Sequence, residues 1–501
     1  MKKTLTLVFC TIQFLMSLTI TNAQELEEYT TLNSKIDNYL NEGAENGFSG
    51  SILVAKKGEI ILHKGYGMAN KENKIPYKTT TVSTIGSVTK QFTATAILKL
   101  VELKKLKVED PLSKFFPKIP NDKKDITLHQ LLTHSSGLID GIGEGDFDDI
   151  PMEQFFNILF STKLLHKPGT KHAYSNAGYS ILARIIEIAS GQNYELFLNE
   201  NLFKPAGMRQ TGYFIPKWDN NLIASGYALN IVSVGTLVSR YQKIGKVTWN
   251  LKGNGGILST TEDMFKWYQA LKTYKILPEN LFKKLTTPYI LEHENGSSQY
   301  AYGWVIYHSK RNTKIISHNG GNQIFFHDYI WMPEEDAVII LFTNASSKEA
   351  EVAWPIEKML FDRAYKANPI KRNLYDITFD FIKNSDLRQT NELISVIKKD
   401  YCSGIKNPSE LNSLGYRILN NEIMEIEENV KWAITIFKLN TELFPNEGNV
   451  WDSLGEAYTQ DNQKKVAIKS YKRALELAPN ENCDWCESSI KALDKLRKDR
   501  Y

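Results

Sequence analysis

The chain has 501 residues, with 61 Lys and Arg against 57 Asp and Glu, a formal charge of +4, and 42% hydrophobic residues. That much apolar material builds a sizeable core, excludes intrinsic disorder as the main state, and at this length divides into two or three domains. A near-balanced charge lacks the basic field that neutralises a phosphate backbone, so no nucleic-acid partner is expected, and four cysteines are too few for a disulfide scaffold.

Lys2 and Lys3 precede a mostly apolar stretch from Leu5 to Ile20, and Thr21-Asn22-Ala23 offers the small residues that a signal peptidase reads. Residues 1–23 are therefore expected to be a cleaved signal peptide, with Gln24 the first mature residue, an exported (periplasmic or secreted) product and no membrane span after cleavage. Phe9 before Cys10 does not suit a lipid-anchoring signal.

From Ser49, SGSILVAKKGEIILHKGYG reads as two strands joined at Lys57-Gly58. The run Ser87 to Lys107, apolar at Phe92, Ile97, Leu98, Val101 and Leu103, predicts a helix, as does Tyr179 to Ser190. Lys314 to Ser317, Gln323 to Trp331 and Ala337 to Phe342 are three further strands, parted by Gly320-Gly321 and Pro333 to Asp336. Strands at both ends of a helical centre predict an α+β fold, an antiparallel sheet closed by both chain ends and flanked by helices, over residues 24–366. The polar, Pro-containing segment after Tyr365 predicts a linker over 367–385, followed by an all-α region over 386–501.

Ser87 and Lys90 in GSVTK lie on one face of the predicted helix, near its amino-terminal end. A lysine held beside a serine and partly desolvated can take its proton and make it a nucleophile. The bare Ser-x-x-Lys pattern also occurs at Ser395, Ser403 and Ser488, where a solvated pair is the expected reading, so context must decide. Only Ser87 has that context. PGTKHAYSNAGYS supplies Tyr174 and Asn176, and KIISHNGGNQ supplies His318, Gly320 and Gly321 at the end of a predicted strand.

Together these resemble the three motifs of the serine β-lactamase and penicillin-binding protein family, in its class C β-lactamase and D-alanyl-D-alanine carboxypeptidase group. The resemblance covers about Leu32 to Tyr365 and includes ITLHQLLTHSSGL, FKPAGMRQTGY, GNGGILSTTEDMFKW and YGWVIY in the family's order. It implies a cofactor-free hydrolase acting on a small-molecule or peptide ester or amide through an acyl-enzyme on Ser87. Lys90 and Tyr174 share the base chemistry, and which of them is the base stays open. Asn176, His318 and Gly320 bind substrate, and the backbone amides of Ser87 and Gly321 form the oxyanion hole. His318 stands where penicillin-binding members usually carry lysine. A mostly neutral histidine loses a permanent cation for a substrate carboxylate yet keeps a hydrogen-bond donor, which favours a general esterase or peptidase over a β-lactamase proper. The loops Gly141 to Met152 and Tyr227 to Asn250 are expected to shape the pocket.

In the tail, Ala433, Phe437 and Pro445 recur 34 residues later as Ala467, Tyr471 and Pro479, and Trp451, Leu454, Gly455, Tyr458 and Ala474 complete a pattern similar to tetratricopeptide repeats. Leu414-Gly415 precedes Leu454-Gly455 by 40 residues, so the earlier inter-helix turn is expected to be six residues longer. Such a domain implies a surface for a protein partner or self-association, and a non-catalytic binding protein acting through this tail is the alternative function. His129 and His134 are five apart, not the four of a zinc helix, so no metal is expected, and the resemblance makes their block structural support. Cys483 and Cys486 could form a local disulfide or a redox pair.

Overall fold

The computed structural model describes residues 27–143, 145–321, 324–345, 351–401, 404–479 and 483–498. The expected signal peptide, Cys402 and Ser403 lie outside these. The chain divides into two compact units, one of residues 1–228 and 233–371, the other of 229–232 and 372–501.

The first unit is built on an eight-stranded sheet. Its strands are β1 (Gly50–Lys56), β2 (Glu59–Tyr66), β3 (Ile290–Leu291), β4 (Gln299–Tyr300), β5 (Val305–His308), β6 (Lys314–Gly321), β7 (Phe326–Met332) and β8 (Ala337–Thr343). Their spatial order is β2-β1-β8-β7-β6-β5-β4-β3, with every pairing antiparallel. The first strand of the chain thus pairs with the last, Gly50 opposite Thr343, which confirms the expected closure by both ends. Residue alternation sorts the side chains to two cores. Tyr329, Trp331, Val338, Ile340 and Phe342 face one. Ile330, Met332, Ala337, Ile339 and Leu341 face the other, because successive strand residues point to opposite sides. The second core is covered by α1 (residues 27–45) and by a helix at Ala353–Phe361.

Against the first core lies α2 (Thr89–Glu102), with every residue from Thr89 to Leu98 buried. It ends five residues short of the predicted Lys107, where Lys104 takes a left-handed φ of 57° among like charges. Packed against it is α3 (Asn176–Ser190), which starts where the Ser175 hydroxyl accepts the Gly178 amide and stops at Gly191 with φ 74°. The loop expected over 227–250 is partly ordered structure, with short strands at Gly226–Ala228 and Val232–Gly235 and a helix at Leu237–Ile244.

The C-terminal part of the second unit is helical and begins earlier than expected. Residues 374–383 are helix rather than linker: Asn373 caps the segment, and Leu374, Thr378, Phe379 and Ile382 form a buried stripe that its charged residues obscure in the sequence. Further helices occupy Thr390–Asp400, Pro408–Leu419, Asn429–Leu443, Gly448–Gln460, Lys464–Glu476 and Cys486–Lys498. The turn 420–428 between the third and fourth of these seven helices has nine residues, and the turn 461–463 between the fifth and sixth has three. Cys483 and Cys486 form a disulfide at the start of the last helix.

Candidate active site

Ser87 sits in a short 3-10 turn, Gly86–Val88, that leads straight into α2. The turn depends on Gly86, whose φ of 49° suits glycine and whose added Cβ would meet the Gly320 carbonyl carbon at 2.9 Å and the Gly321 amide nitrogen at 3.0 Å. A Cβ on Gly320 would in turn lie 2.1 Å from the Ile85 carbonyl oxygen and 2.7 Å from the Ser87 amide nitrogen. Two glycines therefore let the end of β6 lie against the nucleophile turn, backbone to backbone, with the Gly321 amide beside the turn that carries Ser87.

One turn into the helix, the Lys90 side chain is fully buried. Its Nζ reaches Ser87 Oγ at 3.1 Å, the Asn176 amide oxygen at 2.7 Å and the Asn254 carbonyl oxygen at 2.8 Å. Burial pushes the ammonium down from 10.5 to about 7, against the pull of the Asp140 and Asp146 carboxylates. Asn176 opens α3, where its own amide donates to Asp140. Asn254 was missed by sequence reasoning as an individual residue, although the glycines around it in GNGG mark a tight loop. That loop is pinned by phenols, Tyr213 donating to the Gly255 carbonyl and Tyr241 to that of Gly256, both at 2.8 Å.

Tyr174 places its ring 4.7 Å from the Lys90 ammonium. Burial pushes its phenol well above the usual range, and the neighbouring Ser87 hydroxyl offsets only part of that rise. It is a protonated phenol at neutral pH. His318 lies on β6 facing the same side as Gly320, with its ring 6.5 Å from that of Tyr174. Its Nδ1 is 2.6 Å from the Asn319 carbonyl oxygen, which can only accept, so Nδ1 carries the proton. Nε2 is then the acceptor for the Tyr300 hydroxyl at 3.0 Å. Burial and Lys90 push the imidazole down to about 3. This corrects the expectation that His318 keeps a free donor for substrate, because both ring nitrogens are engaged.

A cleft beside Ser87 is lined by Gly86, Asp146, Phe147, Asn176, Asn254 and Gly321 among others. Ser87, Lys90, Tyr174, Asn176, Gly320 and Gly321 are thus brought together, with the His318 ring 6.5 Å from that of Tyr174. No group of three or more His, Cys, Asp or Glu suited to a metal ion occurs among the described residues.

The beta-lactamase family model matches residues 32–358. The putative penicillin-binding protein PbpX of Bacillus subtilis is 35% identical over 274 residues, which is 55% of this chain and 65% of that protein. The chain thus spans just under two thirds of that relative's length. Among solved structures, the octameric penicillin-binding protein homologue from Pyrococcus abyssi superposes with a TM-score of 0.57 at 27% identity, covering 71% of this chain and 81% of that one. A class C beta-lactamase mutant superposes with a TM-score of 0.58 at 19% identity, covering 66% and 98%, and shares the fold.

Proposed function

The chain belongs to the beta-lactamase family, and from that premise we propose that residues 24–366 form a serine hydrolase that cleaves esters or amides through an acyl-enzyme on Ser87. The observation that carries this reading is the set of three contacts on Lys90. A neutral amine has two hydrogens and one lone pair. The Asn176 amide oxygen and the Asn254 carbonyl oxygen can only accept, so they take both hydrogens and leave the lone pair for the Ser87 hydroxyl. Lys90, near half neutral at pH 7, is therefore the base that takes the Ser87 proton. Ser87 Oγ attacks the carbonyl carbon, and the oxyanion is held by the Ser87 and Gly321 amides. The protonated Tyr174 phenol gives its proton to the leaving group and recovers one from Lys90, which has just gained it. In the second half, water attacks the acyl carbonyl, its proton passes to Lys90, and Ser87 leaves with a proton.

The state of His318 argues for substrates without a carboxylate at that end. A neutral imidazole with both nitrogens occupied offers neither charge nor donor. The leader 1–23 supports an exported enzyme. The helical tail, with its 34-residue spacing, supports a tetratricopeptide-like surface for a protein partner or for self-association. The test is turnover by residues 24–501 of a short-chain aryl ester and of a chromogenic cephalosporin, with Ser87→Ala as control. Ester cleavage that disappears in the variant, with cephalosporin turnover at least tenfold slower in kcat/KM, is expected. Cephalosporin turnover equal to ester turnover would refute the substrate reading.

A further inference from the structure

The mechanism leaves unused a buried histidine that packs on its proton donor and bonds the backbone on either side of it. His134 is fully buried. Its ring lies 4.2 Å from the Tyr174 ring, tilted by 35°. Its carbonyl oxygen accepts the Ala173 amide at 2.8 Å, and its Nδ1 accepts the Ser175 amide at 3.0 Å. One residue therefore holds the backbone immediately before and immediately after Tyr174, and packs on the phenol between them. Since a backbone amide can only donate, Nδ1 must be the unprotonated nitrogen, and the imidazole is neutral with its proton on Nε2. A charged ring would break the Ser175 bond, and burial, helped by Lys90, His172 and His318 nearby, holds the imidazole well below its usual range. His134 does this from a left-handed φ of 54°, a backbone state that, glycine aside, asparagine, aspartate and histidine adopt more readily than other residues.

We propose that His134 is a positioning residue for the hydrolase: through its neutral Nδ1 it fixes the Tyr174-Ser175 backbone so that the phenol meets the departing group. This rests on the hydrolase reading above. It makes no contact with Ser87 or substrate part of its role, so its loss should appear in kcat through Tyr174 rather than in substrate affinity.

The test separates ring from acceptor. H134F keeps a ring against Tyr174 and loses the acceptor. H134N places an amide oxygen where Nδ1 was and tolerates the left-handed backbone. Both are made in the wild-type and the Y174F background, and ester kcat and KM are measured beside thermal unfolding and Ser87 labelling by a fluorophosphonate. Expected are a kcat loss of at least tenfold in H134F with KM within threefold, recovery to at least a third of wild-type kcat in H134N, and a loss under threefold when H134F is added to Y174F. Equal losses in both backgrounds, a loss carried by KM, or H134N as impaired as H134F would overturn the inference. If H134F does not fold, H134N decides alone: kcat within threefold of wild type supports the acceptor role, and a loss beyond tenfold in a folded protein refutes it. Failure of the hydrolase reading looks different, because wild-type protein would then neither label at Ser87 nor turn over ester.

Discussion

Changing the pH tests the assignment of Lys90 as the base. Its ammonium is pushed from 10.5 to about 7, which corresponds to roughly 5 kcal/mol of preference for the neutral form over a solvated lysine. At pH 7 about half of the molecules carry the neutral amine, where an ordinary lysine would supply about one in three thousand. The imidazoles around the site do not interfere in this range. His318 is held at about 3, His172 at about 4 and His134 well below its usual value. Tyr174 stays protonated because burial pushes it up. We therefore expect kcat/KM for a neutral aryl ester to rise about tenfold per pH unit below roughly 6.5 and to level off above about 8. The Asp146 carboxylate raises the Lys90 value, so Asp146→Asn should move this limb to lower pH. The assay is initial rate from pH 5 to 10 in buffers of constant ionic strength, with Ser87→Ala as the blank. A profile that keeps climbing beyond pH 9 would assign the base to the phenol of Tyr174, and a profile flat from pH 5 to 8 would remove Lys90 from the proton path.

Three other outcomes follow from the geometry. Gly320→Ala forces a methyl to within 2.1 Å of the Ile85 carbonyl oxygen, against backbone that cannot move aside without displacing Ser87, so ester kcat should fall at least tenfold while urea unfolding still shows a folded protein. His318→Lys restores a cation where the imidazole is neutral, and the ratio of cephalosporin to ester kcat/KM should rise at least tenfold, about 1.4 kcal/mol. In the helical unit, burial raises Asp452 from 3.8 to about 6, with the Ser489 hydroxyl donating to it. The folded state then holds a proton that the unfolded chain has released between these values, so stability from this group is full below about pH 4 and is lost as pH rises toward 6. The total is about 3 kcal/mol. Asp452→Asn should flatten that part of the pH dependence in urea unfolding relative to wild type.

The parts of the fold legible in the sequence are those where one physical rule acts alone. β1, β7 and β8 bury both faces, one against each core, so they read as continuous apolar runs such as Leu53-Val54 and Tyr329-Ile330, bounded by turn residues. β3 and β4 have two residues each, too short for any period to show; β4 pairs with the edge of β5, and β3 with the edge of β4. The helix Leu374–Lys383 was hidden because its apolar stripe is interrupted by Asp376, Asp380 and Lys383 on the solvent side. Within the site, Ser87, Lys90, Tyr174 and Asn176 were readable because their side chains carry the chemistry. Asn254 acts through a carbonyl that every residue has, so no side-chain signal marks it. The state of His318 depends on Tyr300, 18 residues away on a neighbouring part of the sheet, and on its own chain neighbour's carbonyl. Neither a tautomer nor an occupied lone pair can be read from residue type.

The central claim is a covalent intermediate on Ser87, and the direct measurement is intact mass of the protein quenched within milliseconds of mixing with an excess of aryl ester, followed by peptide mapping. The account predicts a mass increase equal to one acyl group, located on the peptide containing Ser87, formed and lost at rates consistent with turnover, and absent in Ser87→Ala. Turnover without any adduct, or an adduct that maps elsewhere or persists in Ser87→Ala, would contradict it.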